Sequence, residues 1–294
     1  MSERILAAVD GSGPSDAALS WAVERARNTD GTIRLLHVVD EPMVVLAPSF
    51  IAQLEDRAQA FLEQQRQRVR TLAPDVPVTT SLTTGSVLEA LKIASKEADL
   101  LVIGTHRHGV VLGEILGTFS LRAAASVYCS LAIIPEQIPT GTGVVVGVNR
   151  SSASLAACDF AAAEAAAHDD ELLIVSAGYV TNPLLIDLVP ATIGSLNREA
   201  ALAAASAHIQ LMHPTMRVRT QAVYGAPADA LAEASRNSRL LVIGRPRVSG
   251  LWRFSHRPVS HDVILSASVP VILVHPGAAT DEQQLEADGN TPHE

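Results

Sequence analysis

One glycine-rich segment carries residues of the types that hold a phosphate. It runs from Gly104 to Ser120 and reads Gly-Thr-His-Arg-His-Gly-Val-Val-Leu-Gly-Glu-Ile-Leu-Gly-Thr-Phe-Ser. Glycine lets a backbone approach a ligand closely. Gly117 and Thr118 open a predicted helix whose free N–H groups and dipole favour an anion, and Thr118 and Ser120 add hydroxyl groups. The pattern indicates a phosphate-binding loop, although a glycine-rich connection without a ligand fits the spacing equally well.

Short aliphatic runs alternate with helical patterns around this segment and must position it. The runs do not alternate in polarity, which is typical of strands buried on both faces of a sheet. Alternation with helices predicts a parallel sheet built from right-handed crossovers. The predicted strands are Arg4–Val9, Thr32–Val38, Val76–Leu82, Leu100–Ile103 and Leu131–Ile134, and the predicted helices are Pro14–Asn28, Ser49–Leu72, Ser86–Glu97 and Thr118–Val127.

The expected strand order brings two chemical groups together. In a flavodoxin-like sheet of order 3-2-1-4-5, strands one and four are neighbours, and ligands bind beyond their carboxyl ends. Asp10 ends strand one and Gly104 ends strand four. A nucleotide could therefore place its sugar near Asp10 and its phosphates near residues 117–120.

The whole pattern occurs twice. Leu-Leu-Val-Ile-Gly runs from Leu100 to Gly104 and again from Leu240 to Gly244, 140 positions further on. A repeat this long indicates a duplicated domain, because solenoid repeats span only ~20–50 residues. We predict an α/β protein with two tandem Rossmann-like domains, residues 1–138 and 143–276, each a five-stranded parallel sheet with helices on both faces. An acidic tail, residues 277–294, is expected to be disordered.

Composition narrows the class of protein. The formal net charge of −9 argues against a protein that tracks a nucleic-acid backbone. No run reaches the ~18 apolar residues of a membrane span, and the first residues do not resemble a signal peptide. Cys129 and Cys158 lack CxxC spacing, so we interpret them as buried thiols of a cytoplasmic protein.

The loop resembles that of the universal stress protein family in its tandem-domain form, and the resemblance extends to about Pro276. The ATP-binding pattern of that family is Gly, two residues, Gly, nine residues, Gly, then Ser or Thr. Gly104 and the pair Gly117-Thr118 fit this pattern. Arg107 stands in place of the second glycine, with Gly109 two residues further on.

Two other stretches also resemble the family, namely Ala8-Val9-Asp10 and His37-Val38-Val39. The resemblance implies that Asp10 lies on the nucleoside side and that the backbone at Val38 pairs with adenine. The implied ligand is ATP or another adenine nucleotide, with or without Mg²⁺. The implied site consists of Ala8, Val9, Asp10, Val38, Ile103, Gly104, His106, Arg107, Gly109, Gly117, Thr118, Phe119 and Ser120.

Arg107 and the second copy leave alternatives open. The Arg107 side chain could block the close approach that glycine allows, pair with a phosphate, or face solvent. In the second copy Asn149 replaces Asp10, and the pair Arg257-Pro258 replaces Gly117-Thr118. Since proline has no N–H, a donor is lost, and we expect one ATP per chain, bound in the first domain. Another anion could still be held there by arginines 245, 247, 253 and 257.

Sequence patterns for catalysis are weak. The chain has no Walker Gly-Lys-Ser/Thr and no Gly-x-Ser-x-Gly elbow, and His106 and His108 have no partner at metal-ligand spacing. We expect an ATP-binding stress-response regulator with at most weak ATP hydrolysis, acting as a homo-oligomer (a dimer) with an unknown protein partner. Alternatives are a slow ATPase or nucleotidyl-transfer enzyme of related fold, and a scaffold that binds no nucleotide.

Overall fold

The computed structural model divides the chain into two compact units, Met1–Ile138 (unit 1) and Pro139–Glu294 (unit 2). The structure describes residues 2–40, 48–105, 110–111, 114–115, 118–178, 191–245 and 259–276. Within these ranges, the side chains of 48–51, 110–111, 114–115, 118 and 191–194 are not described. The predicted tail therefore lies outside the described residues.

Unit 1 alternates strands and helices as its sequence predicts. Its strands are Arg4–Ala8 (β1), Thr32–Val39 (β2), Val78–Thr84 (β3), Leu100–Thr105 (β4), Val110–Val111 (β5), Glu114–Ile115 (β6) and Ser130–Pro135 (β7). Its helices are Gly13–Asn28 (α1), Pro48–Leu72 (α2), Val87–Ala94 (α3) and Thr118–Ser126 (α4), and a 3-10 turn at Ser95–Glu97 extends α3.

The strands of unit 1 form a parallel sheet in the order β3-β2-β1-β4-β7. In the register of this sheet, Ile5 on β1 lies opposite Ile33 on β2 and Leu100 on β4. All three side chains are buried, as strands covered on both faces require. The predicted order 3-2-1-4-5 is confirmed, and the carboxyl ends of β1 and β4 are neighbours.

Most strand ends differ from the prediction by one or two residues, and the shift of β3 has an identifiable cause. β3 begins at Val78 rather than Val76, because Val76 belongs to a turn in which its N–H donates to the carbonyl of Ala73. Pro77 has no N–H, and its carbonyl accepts from Ile33 at the start of the β2–β3 pairing. The glycine-rich connection also contains a short antiparallel ribbon, β5 with β6, which the sequence analysis did not predict.

Unit 2 repeats the fold. Its strands are Val144–Gly147 (β8), Leu172–Gly178 (β9), Val218–Tyr224 (β10), Leu240–Gly244 (β11) and Val271–Val274 (β12). Its helices are Ser152–Ala167 (α5), Ala191–Met212 (α6), Pro227–Ser235 (α7) and Val259–Ser266 (α8). The parallel order is β10-β9-β8-β11-β12, the same order as in unit 1.

A close approach of helix to strand occurs at the same place in both units. A Cβ atom on Gly104, in β4, would lie 2.3 Å from the carbonyl carbon of Pro14 in α1. A Cβ on Gly244, in β11, would lie 2.3 Å from the carbonyl oxygen of Ala153 in α5. Glycine is therefore required at both positions by backbone packing, whatever ligand either unit binds.

Two ion pairs stabilise the start of β1. Arg25 in α1 donates through Nε and Nη2 to the two carboxylate oxygens of Glu3, each at 2.8 Å, in a largely buried bidentate pair. On the exposed side, Arg4 Nη2 donates to Asp99 Oδ1 at 2.7 Å. The hydrogen bond from this guanidinium lowers the pKa of Asp99.

Candidate functional site

A cavity of about 290 Å³ opens at the carboxyl edge of the sheet in unit 1. It lies where β1, β2 and β4 end, which is the point at which open parallel sheets bind ligands. Mostly apolar walls with a few polar groups are typical of small-molecule sites. The lining residues are Ala8, Val9, Asp10, Ser12, Ser15, Leu36, Val38, Val87, Leu91, Ile103, Gly104 and Phe119.

Asp10 is the charged group among the described residues that line this cavity, and a tight turn fixes it. Its Oδ1 accepts hydrogen bonds from the N–H of Ser12 at 2.9 Å and from the Ser12 hydroxyl at 2.7 Å. Its own N–H donates to Ser15 Oγ at 3.1 Å, which ties the turn to the first turn of α1. Asp10 is exposed, and its Oδ2 accepts no hydrogen bond from any described residue. That oxygen can accept one from a ligand hydroxyl.

A second layer of side chains supports the loop that carries Asp10. His37 in β2 contacts the carbonyl oxygen of Val9 through Nδ1 at 2.7 Å. The ring of Phe61, in α2, packs edge-on against His37 with the ring centroids 5.0 Å apart. Gly11 follows Asp10 with a φ of +82°, and a Cβ there would lie 3.4 Å from the Phe61 ring.

The predicted site residues divide into three groups. Those that line the cavity are Ala8, Val9, Asp10, Val38, Ile103, Gly104 and Phe119. Ser120 is buried in the first turn of α4 and does not line it, and Thr118 begins that helix. His106, Arg107, Gly109 and Gly117 lie outside the described residues, so their assignment stays a prediction.

Several lining residues were missed by the sequence analysis. Val87 and Leu91 come from α3, one turn apart, and their spacing indicates only an apolar helix face. Ser12 has a local signal, since it lies two residues before Pro14 and caps α1 by accepting from the N–H of Ser15 at 3.3 Å. A capping role gives no indication that the residue also borders a cavity.

The comparison with protein families settles the classification of this fold. The model of the universal stress protein family matches residues 1–135 and again residues 142–275. The chain belongs to the universal stress protein family. Both the predicted family and its tandem form are confirmed.

Relatives of this universal stress protein match over nearly their full length. A universal stress protein of Mycolicibacterium smegmatis is 28% identical, covering 92% of this chain and 97% of the relative. One of Mycobacterium tuberculosis is 26% identical, covering 92% and 94%. The crystal structure of a universal stress protein from Archaeoglobus fulgidus superposes with a TM-score of 0.74 at 16% identity, covering 95% of this chain and 98% of that chain, which supports the same fold.

The second universal stress protein unit keeps the turn but changes the groups around it. Asn149 Oδ1 accepts from the N–H of Ser151 at 2.9 Å and from Ser154 Oγ at 2.8 Å, so the turn persists without the charge. In α6, Arg198 Nη1 donates to the carbonyl oxygen of Gly178 at 3.0 Å, and its guanidinium lies 5.6 Å from the ring centre of Tyr224.

The positions that match Arg198 and Tyr224 in unit 1 are Ala58 and Thr84, so unit 2 carries larger groups at this edge.

The described part of the chain has neither a helix suited to span a membrane nor a cluster of metal-ligating side chains. None of its helices combines the length and the apolar character needed to cross a bilayer. No three His, Cys, Asp or Glu side chains of these residues are grouped so that they could hold a metal ion.

Proposed function

We propose that unit 1 of this universal stress protein binds ATP and that the protein acts as a nucleotide-dependent regulator of a stress response, not as an enzyme. The observation that carries the proposal is the cavity at the carboxyl ends of β1 and β4. There Asp10 Oδ2, which accepts no hydrogen bond from the described residues, stands beside an apolar wall formed by Val38, Val87 and Leu91.

The residues present suit an adenine nucleotide. A flat, mostly apolar base suits the side chains of Leu36, Val38, Val87 and Leu91. Ribose hydroxyls donate hydrogen bonds, and Asp10 Oδ2, which none of the described residues occupies, can accept one. The α4 helix begins near the same edge, because Phe119 in its first turn lines the cavity, and a helix N-terminus favours phosphate. A bound ATP would itself hold Mg²⁺, chiefly through its phosphate oxygens.

Regulation follows only if ATP distinguishes two states of the protein surface. A ligand shifts an equilibrium by no more than its difference in affinity for the two states. We expect the affected surface to be the segment between β4 and α4, which the sequence analysis assigned to the phosphates. Hydrogen exchange over residues 104–118, measured with and without ATP, tests this part of the proposal, and identical exchange would contradict it.

Binding itself is tested by calorimetric titration with ATP and by mass analysis of small molecules released from the purified, denatured protein. Asp10→Asn is the matched variant, because Asn149 already accepts the corresponding backbone N–H bond of the turn in unit 2. A hydrogen bond to a charged group contributes roughly 1.5–3 kcal/mol, so this substitution should weaken binding about tenfold to a hundredfold. No released nucleotide and no heat of binding would refute the proposal.

An assay of ATP turnover separates the regulator from the enzyme alternative. We expect ATP to be hydrolysed to ADP no faster with the purified protein than in the same Mg²⁺ buffer without protein. A turnover rate that disappears in Asp10→Asn together with binding would favour an ATPase.

A further inference from the structure

The structure assigns His37 a positioning role, in which it fixes the backbone beside Asp10 and so sets where Oδ2 meets a nucleotide hydroxyl. This inference rests on the proposed ATP site. Leu36 and Val38 line the cavity. Because successive side chains of a strand point to opposite faces, His37 acts from the other face of the sheet and does not touch the ligand.

The hydrogen bond between His37 and Val9 can run in only one direction. A carbonyl oxygen can only accept, so Nδ1 of His37 must carry the proton that it shares with Val9 at 2.7 Å. Val9 is buried, and its N–H donates to the carbonyl of Leu36 at 2.9 Å. Both polar backbone groups of Val9 are therefore bound by β2, one by its backbone and one by the His37 ring.

Phe61 extends this support to the other side of Asp10. Its ring packs against His37 with an angle of 61° between the ring planes, and it also approaches Gly11, which has a positive φ. The Val9 peptide before Asp10 is thus held by a hydrogen bond, and on the other side of Asp10 the Phe61 ring lies within contact distance of the position that a Cβ atom on Gly11 would take. We call His37, Phe61 and Gly11 the bracket.

Unit 2 shows that the bracket is not needed for the fold. Val148 N–H donates to the Val175 carbonyl at 2.9 Å, as Val9 does to Leu36. By the strand and helix registers, Ser176 stands where unit 1 has His37, Ala201 replaces Phe61, and Arg150 replaces Gly11.

Without these three residues the Asn149 turn keeps the bond from the Ser151 N–H, but its second hydrogen bond comes from Ser154 Oγ, whereas in unit 1 it comes from the Ser12 hydroxyl. The bracket is present in the unit that has the carboxylate and absent from the unit that has the amide. This pairing favours a role in placing the Asp10 carboxylate over a role in general folding.

Two substitutions at His37 separate the hydrogen bond from the ring. His37→Asn places an amide N–H near the position of Nδ1 and removes the ring, whereas His37→Phe keeps a ring against Phe61 and removes the donor. We expect His37→Phe to weaken ATP binding about threefold to tenfold, the equivalent of one net hydrogen bond, and His37→Asn to bind nearly as wild type.

A double-mutant cycle with Asp10→Asn tests whether His37 acts through Asp10. If it does, adding His37→Phe to Asp10→Asn should cause no further loss of affinity. An equal loss in both backgrounds, measured by calorimetry, would overturn the inference, because His37 would then act through some other group.

Hydrogen exchange of the protein without nucleotide gives a second readout. The N–H of Ser12 donates to Asp10 Oδ1, and the N–H of Ser151 makes the same bond to Asn149 in unit 2. His37→Phe should accelerate exchange at Ser12 about threefold to tenfold and leave Ser151 unchanged. Exchange at Ser12 equal to that of wild type would overturn the positioning role. If wild type binds no ATP, the proposed function fails, and the exchange at Ser12 alone decides the positioning role.

Discussion

Replacement of Gly104 by alanine tests whether packing, independently of any ligand, requires glycine at the end of β4. The new Cβ would lie 2.3 Å from both the carbonyl carbon and the carbonyl oxygen of Pro14, and 2.6 Å from the nitrogen of Ser15. These are backbone atoms in the first turn of α1, so no rotamer change can relieve the overlap. Since ordinary contact begins near 3.4 Å, α1 must retreat by roughly 1 Å.

The expected cost follows from this displacement. Overpacking of a close-packed interior typically costs about 1–3 kcal/mol, and a clash with backbone belongs at the upper end. For a unit of this size, 1 kcal/mol lowers the melting temperature by roughly 3–4 °C, so Gly104→Ala should lower it by about 10 °C. Because α1 carries Ser15, which accepts from the N–H of Asp10, ATP affinity should fall as well.

Two matched variants separate stability from binding. Gly244→Ala makes the same clash in unit 2, with Ala153, and should lower stability similarly without weakening ATP binding in unit 1. Gly178→Ala brings the new Cβ within 4 Å of no atom in the described part of the chain and should leave the melting temperature within about 2 °C of wild type. Calorimetry and urea titration measure all three. If the Gly104→Ala protein is as stable as the Gly178→Ala protein, the packing argument is refuted.

Three further predictions concern titration, thiol chemistry and stoichiometry. Asp99 has a lowered pKa because of Arg4, so its contribution is present above its ordinary pKa of 3.8 and is lost as the pH falls through the lower folded value. Asp99→Asn should therefore reduce the free energy of unfolding by up to ~1 kcal/mol at pH 7 and by less near pH 2, as measured by urea titration; a constant difference would contradict this. Burial raises the pKa of Cys158 to about 12, and Cys129 is also buried, so neither should react with a thiol reagent at pH 8 until urea unfolds the protein. Equilibrium dialysis should give one ATP per chain, and two sites of equal affinity would show that arginines compensate in unit 2.

Strands buried on both faces were predictable because aliphatic composition alone determines them. The predicted Arg4–Val9 differs from β1 by one residue, and all of its central side chains are buried. β3 was displaced by two residues, since its boundary depends on Pro77 and on pairing with β2, which is a contact across the fold.

The cavity was predictable only in part. Asp10 and Val38 stand at strand ends, where family resemblance and topology agree. Val87 and Leu91 lie in α3, the helix that connects β3 to β4, and nothing in their local sequence indicates that they line the cavity. Gly104 was interpreted as a ligand contact from its spacing. Its close approach to Pro14 could not be predicted, because the two residues are far apart in the sequence and no local pattern links them.

The turn shared by the two units bears on how a duplicated protein can diverge. Its hydrogen bonds occupy a single side-chain oxygen, at Asp10 in one copy and at Asn149 in the other. Replacement of the remaining oxygen by an amide NH₂ group changes an acceptor into a donor, and the backbone N–H bond of the turn is present in both copies. A change at this one position therefore exchanges an acceptor for a donor at the edge of a sheet while the backbone of the turn is still held, so the two copies can differ in side-chain chemistry and share one fold.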